Sequence, residues 1–263
     1  MQILKSNNRS LSISGKGSSI RGSFSPSSFN KPLSSGGGGG SNPPITDNLS
    51  IYLNPDVDTY SDDIETPAVD GDNIRQMFDK SGNSNTLNQT TASKQPLYDT
   101  TTFGNGNAAI YAINDYFELT NNIESITTDL TMYMVYKKST SSSIYYSLRG
   151  ASGYPRFELL STKIQIRDNQ GSGRGATYVT GDVLTILAIT VDRAADEFKV
   201  YVDNQLIDTA SGLSTWDVTF SRIFANSTNG IYYGSFLSYQ DVAHDATQVQ
   251  EVSDWLNTKY SIY

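Results

Sequence analysis

Histidine and cysteine, two side chains often used in catalysis, are scarce in this sequence. His244 is the only histidine among 263 residues, and there is no cysteine. A zinc site of the usual kind needs several His or Cys ligands, so the sequence predicts none. Thiolate chemistry and disulfides are excluded by the lack of cysteine. His244 lies where a helix is predicted to begin, and there we expect a structural role.

Paired carboxylates are the other arrangement that could do chemistry. One glycosidase pattern places a nucleophile and an acid at strand alternation, spaced Glu-x-Asp-x-x-Glu. No glutamate here has an aspartate two residues later, although Glu158 and Asp168 could in principle face each other across strands. Residues 171–175 are spaced for a turn and match no nucleotide-binding motif. The sequence therefore predicts a protein that is not an enzyme.

Sugar binding requires other groups, namely exposed aromatic faces with amide, carboxylate and arginine donors nearby. Three predicted loops combine these groups, and the residues predicted to bind a glycan are Tyr154, Arg156, Asp168, Asn169, Trp216, Asn226 and Tyr232. The same residues could instead be the core tyrosines and turn asparagines of any β-sandwich. Both interpretations stay open at this point.

An acidic stretch at residues 54–72 raises the question of a cofactor. It holds eight Asn, Asp and Glu side chains, and oxygen ligands at such density suit calcium. The EF-hand spacing fails, because Gly71 comes too early and Ser81 stands where the closing glutamate would be. No cofactor is predicted, and the stretch is either a calcium site or a solvated acidic loop.

The clearest periodicity lies in residues 182–208, which must position whatever site exists. Residues 183–191 are almost all apolar or β-branched, which predicts a strand covered on both faces. Phe198, Val200 and Val202 alternate with polar residues as in a half-buried strand. The dipeptide Asp203-Asn204 predicts a tight turn into a third antiparallel strand. Such a meander needs a second layer, which predicts a two-sheet β-sandwich.

Short strands separated by polar turns extend this pattern over most of the chain. Strands are predicted at residues 49–53, 130–137, 144–148, 156–160, 163–167 and 176–179, with turns at 150–153, 168–171 and 173–175. Near the C-terminus, Asp245 and Gln248 have the spacing of a capping box, and apolar residues then recur at helical intervals. The sequence predicts one short helix packed on the sandwich.

A family resemblance is visible in residues 77–119. The residues that carry the resemblance are Phe78-Asp79, residues 81–85 (SGNSN), Gln89, Pro96 and a strand running from Ala109 towards Asp115-Tyr116. This segment resembles the opening of laminin-G-like, concanavalin-A-like jelly-roll domains of phage virion and bacterial surface proteins. The segments TVD and YVDN, and a final helix ending LNTKY, are similar to the same family. Ser84 and Asn114 depart from its pattern. The resemblance implies an all-β antiparallel jelly-roll sandwich, and residues 81–85 are interpreted as scaffold.

The first 44 residues form a different region. They are rich in Ser, Gly and Asn, and contain a run of five glycines. Residues 1–49 carry five basic and one acidic side chain, whereas the remainder carries 14 basic and 26 acidic ones. The sequence predicts an extended, basic arm (1–44) in front of a sandwich domain (45–263). The apolar residues predicted to anchor this arm on a partner are Ile3, Leu4, Leu11, Ile13, Ile20, Phe24 and Phe29. An inert tether is the open alternative.

These features lead to two hypotheses of function. The resemblance implies a phage virion protein whose arm docks onto capsid or tail subunits, which would be its partners, while the body is displayed outward and recognises cell-surface glycans. A homo-oligomer within the assembly fits this picture. The alternative is a carbohydrate-binding adhesion module of a bacterial surface protein, with the arm as linker. The acidic body disfavours nucleic acid, and no apolar run predicts a signal peptide or membrane insertion.

Overall fold

The computed structural model describes residues 42–62, 65–104, 106–123, 128–139, 145–151, 154–167, 173–178, 182–212, 219–224 and 230–263. These residues belong to a compact unit, Gly36–Tyr263. Residues 1–41 of the predicted arm lie outside the described residues, together with its anchors Ile3, Leu4, Leu11, Ile13, Ile20, Phe24 and Phe29. The boundary at residue 44 stays a prediction.

Strands account for most of the regular structure. In chain order they are β1 (Leu49–Leu53), β2 (Thr59–Tyr60), β3 (Gln76–Phe78), β4 (Thr86–Asn88), β5 (Leu97–Asp99), β6 (Ala109–Ala112), β7 (Phe117–Ile123), β8 (Leu130–Lys138), β9 (Tyr145–Arg149), β10 (Arg156–Leu159), β11 (Lys163–Arg167), β12 (Gly173–Thr177), β13 (Thr185–Asp192), β14 (Glu197–Val202), β15 (Gln205–Ser211), β16 (Phe220–Ile223) and β17 (Ile231–Gln240). A 3₁₀ turn, Ala92–Lys94, precedes β5, and the helix α1 (Ala246–Tyr260) follows β17.

The strands form two antiparallel sheets. Sheet 1 has the order β15-β14-β13-β8-β17-β6-β5, with β1 paired to β17, and sheet 2 has the order β12-β11-β10-β9-β16-β7-β4-β3-β2. Apolar side chains of both sheets pack in one core, among them Met134, Leu187 and Phe236 from sheet 1 and Leu148 and Phe157 from sheet 2. This arrangement confirms the predicted all-β, two-sheet antiparallel sandwich.

A second core lies on the outer face of sheet 1, under α1. Val249, Val252 and Leu256 of the helix pack there against Tyr133 and Ala188 of the sheet. Sheet 1 is therefore buried on both faces, which explains why β13 reads as a continuous apolar run: all its residues but the last are buried. The helix start is also as predicted, because Asp245 accepts a hydrogen bond from the Gln248 backbone N–H at 2.9 Å and Gln248 Oε1 accepts one from the Asp245 N–H.

His244 has the structural role expected from its position before α1. Its side chain is buried, and its Nδ1 lies 2.8 Å from the Tyr133 hydroxyl. The ring centroid of Tyr239 is 4.4 Å away. Burial lowers the pKa of His244 to about 4, so the imidazole is neutral near pH 7.

Residues 79–85 of the sequence motif form a turn beside β1. Their side chains bond the backbone of β1 on the edge that faces away from β17. Asp79 Oδ1 accepts a hydrogen bond from the Tyr52 N–H at 2.8 Å. Asn83 Nδ2 donates to the Leu49 carbonyl oxygen at 2.8 Å, and Asn85 Nδ2 donates to that of Ser50 at 2.9 Å. These side chains satisfy backbone groups that an edge strand would otherwise leave to solvent. The contacts support the interpretation of this motif as scaffold.

Two local predictions were wrong. Residues 173–175 lie in β12, where a turn was predicted: a Cβ atom on Gly175 would stand 2.0 Å from the Ile164 carbonyl oxygen, so glycine permits a close approach between strands rather than a reversal. The strand predicted to run from Ala109 towards Tyr116 ends at Ala112. The chain turns at Asn114, which has a φ of 60°, and then passes from sheet 1 to sheet 2.

Candidate functional site

Four arginines stand side by side across sheet 2. Arg222 of β16 is directly opposite Arg149 of β9, Arg149 is opposite Arg156 of β10, and Arg156 is opposite Arg167 of β11. We call these four residues the arginine row. Since neighbouring strands are about 4.8 Å apart, the row extends over about 14 Å.

The side chains of the row lie on the outer face of the sandwich. The residue next to each arginine along its strand is a fully buried core residue, as with Leu148, Phe157, Ile166 and Ile223. Because successive side chains of a strand point to opposite faces, the arginines point away from the core. The exposed fraction of the side chain is 21% for Arg156, 32% for Arg167 and 21% for Arg222, so a ligand could reach these guanidinium groups.

A buried carboxylate lies next to the row. Glu158 is 3% exposed, and its Oε2 accepts a hydrogen bond from Arg167 Nε at 2.9 Å and another from Gln165 Nε2. Its Oε1 lies 3.8 Å from an Arg156 nitrogen. Glu158 thus lies between two guanidinium groups and fixes their positions. These cationic partners explain why a carboxylate can be buried on the outer face of the sheet.

Two tyrosine rings flank the row. The guanidinium carbon of Arg156 lies 4.0 Å from the ring centroid of Tyr154, and that of Arg222 lies 4.2 Å from that of Tyr116. Such stacking holds the guanidinium planes and is favourable by about 0.5–1 kcal/mol at exposed sites. Aromatic rings beside fixed cationic donors are the combination that binds a sugar ring with polar substituents.

Of the predicted glycan-binding residues, the structure brings two together. Tyr154 and Arg156 stack on each other at the row. Tyr232 lies on sheet 1, in register between Tyr111 and Lys137, with its ring 4.5 Å from that of Tyr111. Its side chain packs with the core on the outer side of sheet 1, so the sandwich separates it from Tyr154. The remaining predicted residues lie outside the described ones: Asp168, Asn169, Trp216 and Asn226.

The sequence did not single out three residues of the row, Arg149, Arg167 and Arg222. The first two could have been found by hairpin pairing, because a turn centred on residues 152–153 puts Arg149 opposite Arg156, and one centred on 161–162 puts Arg167 opposite Arg156. Arg222 could not, since β16 pairs with β9 across more than 70 residues of sequence.

A concave surface lies beside β1. It is a polar cleft of about 530 Å³ whose lining includes Asn48, Ser50, Asn83 and Gln240. Its amide groups could bind hydroxyl-bearing ligands, but the side chains of Asn83 and Asn85 already bond the backbone of β1. The cleft is therefore a weaker candidate for a binding site than the row.

The acidic stretch at residues 54–72 uses its carboxylates within the fold. Asp56 forms an ion pair with Lys259 at 2.6 Å, Asp70 accepts from the Thr100 N–H at 2.8 Å, and Asp72 accepts from the Val69 N–H at 2.9 Å. Asp62 caps a turn through the Thr66 N–H. Among the described residues, no group of three or more His, Asp or Glu side chains could hold a metal ion. The calcium interpretation gains no support from this part of the chain.

No helix in the described part of the chain is both long and apolar enough to cross a membrane. No protein-family model matches this sequence, and no curated protein is similar to it.

Solved structures are similar to the fold. The binding domain of Paraclostridial Mosquitocidal Protein 1 superposes with a TM-score of 0.58 and 16% identity, covering 79% of this chain and 52% of that one. The binding domain of botulinum neurotoxin DC, solved in complex with rat synaptotagmin II, gives 0.56 and 12%, covering 81% and 52%. The ligand binding domain of botulinum neurotoxin serotype D, solved with N-acetylneuraminic acid, gives 0.53 and 13%, covering 80% and 51%.

The chain spans about half the length of these structures. At such low identity the similarity establishes the fold alone: this protein shares a two-sheet β-sandwich with part of the clostridial toxin binding domains.

Proposed function

We propose that the sandwich is a non-catalytic binding module that recognises carbohydrate, or a glycosylated receptor, at a surface. The observation that supports this most directly is the sandwich itself, which resembles toxin binding domains over about four fifths of the chain. One of those domains is described with a sialic acid and another with a protein receptor. This favours the carbohydrate-binding alternative over a purely architectural role.

The arginine row with Tyr154 is the proposed contact surface. The guanidinium groups of Arg156, Arg167 and Arg222 are each held by Glu158 or by a tyrosine ring, so they lose little freedom when a ligand binds. A pre-organised set of donors beside an aromatic ring suits recognition better than the polar cleft does, where side chains are engaged with β1.

A hydrolase is not favoured by the position of Glu158. A glycosidase acid must deliver its proton to the bond that breaks, opposite a second carboxylate. Glu158 is buried and accepts hydrogen bonds from Gln165 and Arg167, which suits a counter-ion that holds arginines in place.

Binding of the full-length protein to a glycan array tests this proposal. We expect saturable binding to at least one glycan class, and weaker binding after Tyr154→Ala. Tyr263→Ala is the control, because it removes a tyrosine that is 51% exposed and lies at the C-terminus. Binding to no glycan, or equal binding by wild type and Tyr154→Ala, contradicts the proposal.

The arm, residues 1–44, is proposed to attach the module to other subunits. Its basic, low-complexity sequence supports an attachment role. The capsid or tail partners, and the virion as location, remain predictions that rest on the resemblance alone.

A further inference from the structure

The register of the arginine row is energetically unfavourable by itself. Like charges directly opposite each other on neighbouring strands destabilise a sheet. Here three such pairs follow one another, from Arg222 through Arg149 and Arg156 to Arg167. Departures from the ordinary rules of a stable sheet are expected where function requires them.

The surrounding charge makes the row more unusual. The chain carries a net charge of −8, so four arginines in register are a local reversal of sign. Ion pairs join the row to Glu158 and, at 3.3 Å, to Glu118, which extends the register on β7. The side chains of Arg156, Arg167 and Arg222 are still 21–32% exposed beside these carboxylates, so an approaching molecule can reach cationic donors along the row.

The chemistry of these donors defines the ligand. A guanidinium is a planar fork that bonds both oxygens of a carboxylate, sulfate or phosphate. Four forks along about 14 Å match an elongated molecule that carries an anionic group on more than one unit. Tyr154 and Tyr116 each stack on a guanidinium of the row, and an aromatic ring beside such donors favours a ligand built of sugar rings.

We propose that the arginine row binds an acidic oligosaccharide, through the carboxylate or sulfate groups of successive sugar units. The inference rests on the proposed carbohydrate-binding function and adds the class of ligand. The net negative charge of the chain opposes nucleic acid and acidic saccharides alike, so the choice of a saccharide follows from the proposed carbohydrate-binding function, and nucleic acid is one outcome of the test.

Calorimetric titration of the full-length protein tests the inference. The probes are a carboxylated and a sulfated oligosaccharide, the neutral parent of each, and a single-stranded oligonucleotide of equal charge. One variant, Arg156→Gln, removes a guanidinium from the middle of the row. The other, Arg222→Gln, leaves Glu118 without this ion pair, which costs little stability because the Glu118 side chain is 59% exposed. The control is Arg193→Gln, on the turn between β13 and β14 of sheet 1. Thermal unfolding verifies that each variant is folded.

We expect the acidic probes to bind at least about tenfold more tightly than their neutral parents, and each row variant to weaken binding by about tenfold. Higher salt should weaken the same binding, and Arg193→Gln should leave it unchanged.

Equal binding of acidic and neutral probes would overturn the inference. If the row variants also bind as tightly as wild type, the glycan site lies elsewhere on the sandwich, and carbohydrate binding itself still stands. Tighter binding of the oligonucleotide would also overturn the inference, in favour of nucleic acid. Binding of no saccharide of either kind would reject the proposed function and the inference together.

Discussion

Glu158 organises the candidate site at the level of single residues. It is a buried acid on the outer face of a sheet, and it accepts hydrogen bonds from Gln165 and Arg167. A buried charge is tolerated in a sheet when such partners surround it. Its removal would leave guanidinium groups close together without the carboxylate that separates them.

Replacement of Glu158 should therefore destabilise the fold. We expect Glu158→Gln to lower the free energy of unfolding by about 2 kcal/mol, because one partner of a largely buried ion pair is lost. Urea denaturation measures this change. Glu118→Gln is the matched control: the Glu118 side chain is 59% exposed, so its loss should change stability by no more than about 0.5 kcal/mol. Equal effects of the two substitutions would refute this role of Glu158.

His244 should make stability depend on pH. Burial lowers its pKa to about 4 in the folded protein, against about 6.5 when unfolded, so the unfolded chain binds a proton first as pH falls. The stabilisation is complete above pH 6.5 and is lost progressively towards pH 4. Between pH 6.5 and 5, wild type should lose about 2 kcal/mol more than His244→Gln does. Parallel stability profiles for the two proteins would show that His244 does not titrate this way.

At the scale of elements, the N-cap of α1, which the sequence predicts, can be tested by mutation. Asp245→Ala removes the acceptor for the Gln248 N–H and should lower the free energy of unfolding by about 1 kcal/mol. Thr247→Ala, an exposed position in the same turn, should change it by no more than about 0.5 kcal/mol. Chemical denaturation compares the two, and an unaffected Asp245→Ala protein would mean that the cap contributes nothing.

The elements that could be predicted are those with strong periodicity. The apolar run of β13, the alternation of β14 and the capping box of α1 each reflect one local physical cause. Strands of two or three residues, such as β2 and β4, are too short to carry a period, so they were not predicted. Gly175 was mistaken for a turn residue, because the sequence does not reveal how closely the β11 backbone approaches.

The candidate site was only partly predictable for a related reason. Tyr154 and Arg156 were recognisable by type, since an aromatic and a cationic residue stand two positions apart where β10 begins. The arginine row exists only through strand register, and Arg222 joins it through a pairing between distant parts of the chain. Long-range register depends on the packing of both sheets, which no local pattern encodes.

At the scale of the whole molecule, charge divides the chain. Residues 1–49 carry a surplus of basic side chains, while the remainder is strongly acidic. The sandwich buries its own two cores, and the predicted arm is too poor in apolar residues to add a third.

Deletion of the arm should therefore leave the body folded. We expect a chain starting at residue 45 to unfold within about 2 °C of the full-length protein, because a ΔΔG below 1 kcal/mol shifts the midpoint by only a few degrees at this size. Differential scanning calorimetry measures both midpoints. A much lower midpoint for the truncated chain would show that the arm belongs to the fold.

The central claim, that the sandwich binds glycan at the arginine row, is tested most directly by hydrogen exchange of the full-length protein with and without its best-binding array glycan. The account predicts slower exchange in peptides covering β9, β10 and β11 when the glycan is present. Protection confined to the cleft beside β1, or no protected peptide at a saturating glycan concentration, would contradict it.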